Sequence, residues 1–514
     1  MTTAFAEAPV ALKFMPNATA EQIETIDTAM GLDAGGAMRV RSGAGSGKTT
    51  TLLGIAKALG GKRGTYLAYN SSVATQAAPK FAGTGCSVRT FHAICYRAVA
   101  DKMPQGPLSR YDVRAHVIDA GLLDSHLHRN IPGWKAFKLA LAALHTFEAF
   151  CHSDDMHVKP AHARQAVIAQ TGDPDVLTSR GARLAAERAL EKVTPILVDV
   201  AQKFWACRRK DMALTHDAYV KLVHFTPELR EQIFGHLDYA MIDEAQDMNP
   251  VQVAILKDAG VTLIAVGDSA QSIHGWRGAV DALDRLPGVE TQLSRSFRFG
   301  SNIAALANKV LAANPHGNHG VKVTGAGGNQ ALDPSRPQFA VLARSNIGLL
   351  DEAVELNRKG HSYHFDRGQD ILEQIRSAIA LREGNMFEVR AQEIRPFRSW
   401  YELVQESESN PSLERIVSII TENRVAETEA VIRASRPVDR AAVTLMTAHR
   451  AKGLEFGAVK LAQDWTPLAD LATRLERAQR ASAHRAIQAR QEYNVLYVAL
   501  TRAIQRVVFE PGLL

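Results

Sequence analysis

The feature that most restricts the fold is a glycine-rich turn, Ser42–Thr49, between a short apolar run and a helical pattern. The apolar run, Met38–Val40, predicts a strand, and Thr50–Leu59 predicts a helix. Glycines let successive backbone N–H groups turn inward at a helix N-terminus, where they bind phosphate. The ending Gly47–Thr49 is typical of a P-loop, in which the lysine reaches the β- and γ-phosphates and the threonine reaches Mg²⁺. Ser42 replaces the usual first glycine, and a chance glycine/serine turn is the alternative.

A second chemical signal is the acidic pair Asp243-Glu244, which follows the apolar run Tyr239–Ile242. In such a pair one carboxylate holds Mg²⁺, and its neighbour accepts a proton from the attacking water. An Asp-Glu pair is also common on protein surfaces, which is the alternative. We predict that Asp243 binds the metal and that Glu244 is the base.

The chain carries repeated signals of a parallel α/β fold. Short apolar runs predict strands, and several lead through a polar or glycine-rich turn into a helical pattern. These runs are 38–40, 65–68, 239–242, 261–266, 339–342, 443–446 and 506–509. Helical patterns dominate two blocks, which we predict to be insertions into two α/β domains. The predicted segments are 1–92 and 221–290 with insertion 93–220, and 291–368 and 438–514 with insertion 369–437. We also expect a loop over 152–175 and one arginine-rich helix over 471–491.

Composition excludes several protein classes. The 514 residues are 46% hydrophobic and 22% charged, as in globular proteins. No apolar run approaches the ~20 residues that span a bilayer, and the N-terminus lacks a signal-peptide pattern. Four cysteines without a CxxC spacing favour a reducing compartment. We expect a cytoplasmic protein, encoded by a prokaryote or phage. The net charge of +6 fits a polyanion partner but also many others.

Further segments, in the same order along the chain, resemble the motifs of the UvrD/Rep (superfamily 1A) DNA helicases. Besides the turn, they are Thr19–Gln22, Tyr66–Asn70, Thr90–Ala93, Asp243–Asp247, Gly267–Ala279, Leu293–Gly300, Thr444–Phe456 and Leu496–Ala503. The match spans about residues 19–505. Details such as Ser296–Gly300 resemble the F-box DNA helicase branch without its F-box. The resemblance implies an α/β fold with two RecA-like P-loop domains, each interrupted by a mainly helical insertion.

The resemblance also assigns residues to ATP and Mg²⁺. Gln271 matches the γ-phosphate sensor, and Glu455 matches a nucleotide contact. Arg298 and Arg502 match the arginines that stabilise charge on the transferring phosphoryl group. The candidate site comprises Gln22, Gly43, Ala44, Gly45, Ser46, Gly47, Lys48, Thr49, Thr50, Asp243, Glu244, Gln271, Phe297, Arg298, Glu455 and Arg502. Thr49 and Asp243 are its predicted metal ligands.

Some of these assignments have plain structural alternatives. Phe297 matches the aromatic that stacks on adenine, and Gln22 matches the glutamine that reads adenine. Phe297 could instead be a core residue. Glu455 could cap a helix, and Arg298 could be an ordinary surface arginine.

A separate group of residues matches the family's contacts to single-stranded DNA. Aromatic side chains stack on bases at about 1–3 kcal/mol each without reading sequence. Tyr69 and Trp276 match such aromatics, although either could be a core residue. His449 matches a motif histidine near the DNA, although it could be packed or capping. His274 replaces the family's usual tyrosine. The predicted DNA-binding residues are Tyr69, Asn70, Thr90, His92, His274, Trp276 and His449.

We therefore expect an ATP-dependent helicase that moves 3′→5′ on single-stranded DNA and unwinds tailed or forked duplexes in repair, recombination or replication. One alternative is an ATPase, stimulated by single-stranded DNA, that strips proteins or remodels DNA complexes without processive unwinding. The short second insertion favours it. Another is a binding module with a relic ATP site, which the intact Lys48, Asp243, Glu244, Arg298 and Arg502 oppose.

Overall fold

A computed structural model of the chain describes most of its residues. They are 11–102, 108, 114–118, 120–123, 131, 134, 136–171, 174, 180–207, 214–273, 275, 280–315, 320–328, 338–391, 393–395, 397, 399–407, 411–481 and 483–514. They form two compact units. Unit 1 contains the described residues of Met1–Ser42, Gly47–Leu293 and Arg477–Gln488, and unit 2 contains those of Gly43–Ser46, Ser294–Glu476 and Ala489–Leu514.

Unit 1 is built on a six-stranded parallel sheet with the strand order β3-β2-β4-β5-β1-β6. In chain order its elements are α1 (Ala11–Phe14), α2 (Ala20–Met30), β1 (Ala37–Ser42), α3 (Lys48–Ala58), β2 (Gly64–Ala68), α4 (Ser71–Phe81), β3 (Cys86–Thr90), α5 (Phe91–Val99), α6 (Ala136–His152), α7 (Pro160–Thr171), α8 (Arg180–Cys207), α9 (His216–Phe225), α10 (Pro227–Phe234), β4 (Tyr239–Ile242), α11 (Pro250–Lys257), β5 (Thr262–Gly267) and β6 (Val289–Leu293).

Both faces of the sheet are covered at the strands β2, β4 and β5, which explains why these strands are almost wholly apolar. Along β4, Tyr239 and Met241 join a core with α1–α4, whereas Ala240 and Ile242 join a core with α5–α11. The two sets alternate because successive side chains of a strand point to opposite faces. The helices of the 93–220 block therefore belong to the core on one face of the sheet.

Unit 2 contains a five-stranded parallel sheet with the order β10-β11-β9-β12-β13. The chain continues as β7 (Arg295–Ser296), α12 (Ser301–Ala313), β8 (Thr324–Gly325), β9 (Phe339–Ala343), α13 (Leu350–Arg358), β10 (Tyr363–Phe365), α14 (Gly368–Arg382), α15 (Trp400–Ser407), α16 (Pro411–Thr421), α17 (Val425–Arg433), β11 (Val443–Thr447), α18 (Ala448–Ala451), β12 (Phe456–Leu461), α19 (Leu468–Ala481), α20 (Ala483–Leu500) and β13 (Ala503–Val508). The end of α19 and the start of α20, within Arg477–Gln488, belong to unit 1. Residues of α14–α17 share one core with β9, β10 and β11.

The predicted α/β class with helical insertions is confirmed, with two local corrections. The expected loop over 152–175 contains α7, whose Ala163, Ala166 and Val167 are buried in the core of unit 1. The expected single helix over 471–491 is two helices, one ending at Ala481 and the next beginning at Ala483. The units separate between Leu293 and Ser294, and the predicted segment limits stay predictions.

Candidate active site

Three neighbouring strands of unit 1 carry candidate site residues at one edge of the sheet. In the order β4-β5-β1, β4 leads into the acidic pair, β5 leads into Asp268, and β1 leads into the glycine-rich turn. Parallel strands bring their carboxyl ends to the same edge, where α/β proteins bind ligands. The Ser42 hydroxyl donates to the Gly267 carbonyl over 2.7 Å, which ties the end of β1 to the end of β5. Gly47 has a left-handed backbone, φ 80°, and α3 begins directly after it.

Lys48 is held among three carboxylates. Its Nζ lies 3.3 Å from Oε1 of Glu244. Burial lowers the pKa of Lys48, but Glu244, Asp268 and Asp243 together outweigh burial, so the pKa is raised. The side chain is therefore a fixed ammonium ion, as a phosphate-binding lysine must be.

Asp243 receives hydrogen bonds on both carboxylate oxygens. Oδ1 accepts the backbone N–H of Glu244 at 2.9 Å, and Oδ2 accepts the Thr49 hydroxyl at 3.3 Å. The Tyr66 hydroxyl donates to the same Oδ2. Burial, and then Glu244, raise the pKa of Asp243. The adjoining hydroxyl and carboxylate oxygens fit Mg²⁺, which binds one or two protein oxygens together with waters and phosphates.

Gln246 is a candidate site residue that the sequence analysis missed, although it lies within the Asp243–Asp247 motif. Its Nε2 donates to Oε2 of Glu244 over 2.5 Å, and its Oε1 accepts the backbone N–H of Asp268 at 3.0 Å. Gln246 is fully buried. A glutamine amide can donate and accept at once, so this side chain connects the segments that follow β4 and β5.

Gln271, the predicted γ-phosphate sensor, is buried and bonded inside unit 1. Its Nε2 donates to Oδ2 of Asp268 over 2.6 Å. Burial raises the pKa of Asp268 to about 6, although Lys48 and the Gln271 hydrogen bond oppose that rise. Gln271 therefore lies at the same sheet edge as Lys48.

The predicted adenine contact Gln22 is part of a helix cap. Its Oε1 accepts the N–H of Thr19, and its Nε2 donates to the Thr51 hydroxyl over 3.1 Å. The side chain is buried. Thr50 is exposed on α3. Contact of Gln22 and Thr50 with adenine stays a prediction.

The turn residues Gly43–Ser46 belong to unit 2. There the Ala44 N–H donates to the Tyr497 hydroxyl over 3.1 Å, and the Gly45 carbonyl accepts the Phe297 N–H at 2.8 Å. Phe297 is 39% exposed, which excludes a core position for it.

The candidate arginines of unit 2 meet at Thr501. Arg298 donates through Nε to Oε1 of Glu455 over 2.8 Å, and through Nη1 to the Thr501 carbonyl over 2.9 Å. Arg502 is fully buried and donates through Nη2 to the Thr501 hydroxyl and through Nε to the Val498 carbonyl. These contacts bring Arg298, Glu455 and Arg502 together. They argue against an ordinary surface role for Arg298 and against a simple capping role for Glu455.

The candidate DNA residues of the first motifs lie where strands of unit 1 end. Tyr69 follows β2 and is 38% exposed, which excludes a fully buried position. Asn70 is the N-cap of α4, accepting the Val73 N–H at 2.9 Å, and Thr90 is the N-cap of α5, accepting the Ala93 N–H at 3.1 Å. A capping bond is a structural reason for both residue types.

The candidate histidines differ in their surroundings. His92 lies 3.6 Å from the Asp217 carboxylate, which His152 approaches to 3.2 Å. Burial raises the pKa of the half-buried Asp217, but the two histidines outweigh burial and hold that pKa far below its usual range. His449 is half-buried in α18, and burial lowers its pKa to about 4, so at neutral pH it is uncharged. His274 and Trp276 lie outside the described residues.

No helix within the described ranges is long and apolar enough to cross a membrane. Relatives of the chain occur in both eukaryotes and bacteria, so the expectation of a prokaryotic or phage source gains no support.

Comparison with known proteins identifies the family. The sequence model of the UvrD/REP helicase N-terminal domain matches residues 55–283, and that of the UvrD-like helicase C-terminal domain matches residues 206–510. F-box DNA helicase protein 1 of Schizosaccharomyces pombe is 26% identical over 93% of this chain and 56% of its own length. F-box DNA helicase 1 of Gallus gallus is 26% identical over 92% of this chain and 47% of its own. DNA helicase II of Escherichia coli is 31% identical over 42% of this chain and 32% of its own.

The chain spans about half the length of the F-box relatives. The roles of the residues at the carboxyl edge of the unit 1 sheet and of the arginines beside Thr501 stay predictions. The C-terminal-domain model alone covers more than half of the 514 residues. The chain therefore belongs to the UvrD/Rep family of DNA helicases.

Proposed function

We propose that this chain is an ATP-driven motor that moves 3′→5′ on single-stranded DNA and unwinds tailed or forked duplex DNA. The observation that carries the proposal is the Lys48–Glu244 ion pair beside Asp243 at the end of β4. Family membership supports ATP hydrolysis and DNA as substrates. The direction of movement rests on the resemblance of the motifs. DNA repair, recombination or replication is the setting in which such a motor acts.

The chemistry that these residues support is hydrolysis of the γ-phosphate of ATP. Lys48 binds the phosphate oxygens, and Glu244 orients the attacking water and accepts its proton, while Gln246 holds the Glu244 carboxylate. Mg²⁺, when held by Thr49 and Asp243, would neutralise charge on the phosphates. Arg298 and Arg502 are the candidates for stabilising charge on the transferring phosphoryl group, a role worth about 10³–10⁵ in rate where measured elsewhere.

The test is strand displacement from 3′-tailed and 5′-tailed duplexes, run beside ATPase assays with and without single-stranded DNA. We expect displacement of the 3′-tailed duplex only. Lys48→Ala should lower the DNA-stimulated ATPase by about 10²-fold or more, because the fixed cation facing the phosphates is lost. Preference for the 5′ tail would contradict the direction. ATP turnover unchanged in Lys48→Ala would contradict the site.

The same assay separates the second candidate, an ATPase that removes proteins from single-stranded DNA without processive unwinding. The observation that favours it is the small second insertion, whose helices α14–α17 span only Gly368 to Arg433. Stimulated ATPase and displacement of streptavidin from a biotinylated DNA end, with no strand displacement at any protein concentration, would support this candidate over the first.

A further inference from the structure

Tyr66 is a buried tyrosine whose hydroxyl reaches the candidate metal-binding carboxylate. It lies in β2, is 0% exposed, and donates to Oδ2 of Asp243. The Thr49 hydroxyl donates to the same oxygen, and the Glu244 N–H donates to the other. We infer that Tyr66 is a positioning residue that orients Asp243 for Mg²⁺. The inference rests on the metal site proposed above.

The strand pairing explains why Tyr66 can reach Asp243. In the parallel register of β2 and β4, Tyr66 stands beside Met241 and Leu67 beside Ile242. The next residue, Asp243, donates its N–H to the Leu67 carbonyl over 3.2 Å. The backbone and the carboxylate of Asp243 are thus both bonded to β2, so the carboxylate has little freedom to rotate.

The ring of Tyr66 is held as firmly as its hydroxyl. It packs against the Phe81 ring of α4, with 4.8 Å between the ring centroids, in the core that lies on the α1–α4 face of the sheet. Outer residues that orient a metal ligand commonly change metal affinity about 10–100-fold when they are removed. A hydroxyl fixed by both packing and sheet register is suited to that role.

The variant Tyr66→Phe tests the inference, because it keeps the packed ring and removes only the hydroxyl. ADP affinity of the full chain would be measured by calorimetry in EDTA and across a Mg²⁺ titration. We expect affinity in EDTA to stay within about 2-fold of wild type. The Mg²⁺ concentration needed for half of the metal-dependent gain in affinity should rise about 10-fold.

Tyr239→Phe is the matched control. Tyr239 is equally buried in the same core, but it begins β4 and pairs with Gly64 at the other end of the strand pair. Loss of its hydroxyl should change neither measurement.

Each other outcome is decisive. A Tyr66→Phe protein with the wild-type Mg²⁺ dependence would overturn the inference. Equal losses of ADP affinity in EDTA and in Mg²⁺ would mean that Tyr66 only supports the fold. That result would also overturn the inference. Wild-type ADP affinity that is indifferent to Mg²⁺ would instead overturn the proposed metal site itself.

Discussion

Glu244 combines an unusual backbone with a position in the candidate active site. Its φ is 53°, in the left-handed region that non-glycine residues adopt at a cost of roughly 1–2 kcal/mol. The conformation turns the chain sharply after β4, and the Glu244 N–H then bonds the Asp243 carboxylate while Gln246 bonds the Glu244 carboxylate. Strain of this kind persists where surrounding contacts over-determine it, and it concentrates at functional sites. The adjacent acids were visible in the sequence, whereas this turn was not.

Tyr69 and Asn70 allow the proposed DNA role to be separated from a structural one. Tyr69→Ala should weaken binding of a single-stranded oligonucleotide by about 1–3 kcal/mol, because a base loses its stacking partner.

Asn70→Ala should lower the free energy of unfolding by about 1 kcal/mol, because α4 loses the cap on the Val73 N–H. Fluorescence anisotropy and urea unfolding measure the two effects. Wild-type DNA affinity in Tyr69→Ala would remove Tyr69 from the DNA site.

At the scale of the elements, sequence patterns identified the interior strands of unit 1 better than its edge strands, whereas in unit 2 the interior strand β12 was missed and the edge strand β13 was predicted in part. The buried strands β2, β4 and β5 are almost wholly apolar and were predicted within one residue at each end. The edge strands β3 and β6 were missed because only alternate residues or fewer are buried, and most of their exposed positions are polar, as in Arg89 and Glu290. An edge strand buries less surface than an interior one, so its sequence is less constrained.

The pairing of β2 with β4 depends on a missing side chain. A Cβ atom at Gly64 would lie 2.1 Å from Cζ of Tyr239, inside the buried ring. Gly64→Ala should therefore lower the free energy of unfolding by about 1–3 kcal/mol through overpacking. In the control Gly31→Ala, the added carbon has its nearest neighbours at 3.6 Å, and the change should stay within about 0.5 kcal/mol. Denaturant unfolding compares them; equal midpoints would refute the predicted clash.

For the whole molecule, net charge is a weak guide to function. Sixty basic residues stand against 54 acidic ones, a balance that many proteins share. The groups that point to ATP are local: Lys48 in unit 1, and Arg298 with Arg502 in unit 2. If the proposed function holds, a small excess of positive charge would mainly adjust DNA affinity and its salt dependence.

Each unit contains a histidine, buried in unit 1 and half-buried in unit 2, that should make the molecule sensitive to acid. Burial, and then nearby cations, lower the pKa of His224 in unit 1 and of His449 in unit 2 to about 4, from 6.5. The unfolded chain therefore takes up protons first as the pH falls. The stability that the two uncharged histidines contribute is fully present above pH 6.5 and is lost as the pH falls toward 4. We expect roughly 1–2 kcal/mol per histidine.

Urea unfolding at about pH 7.5 and pH 5 measures this loss. The double variant His224→Gln, His449→Gln should lose less stability on acidification than wild type, because neither side chain can then take up a proton. An equal loss in both proteins would show that other groups cause the acid sensitivity.

The sequence by itself determined the α/β class, the two sheets, the family and most of the candidate residues, from Lys48 and Asp243 to Arg502. These depend on short-range signals, namely turn glycines, strand-length apolar runs and ordered motifs. Only the tertiary structure decided which side chains meet. The Tyr66–Asp243 contact, the Gln246 link between Glu244 and Asp268, and the convergence of Arg298, Glu455 and Arg502 on Thr501 all depend on strand order, register and long-range packing. Local patterns carry little information about these, because residues far apart in sequence are brought together only when a whole core forms.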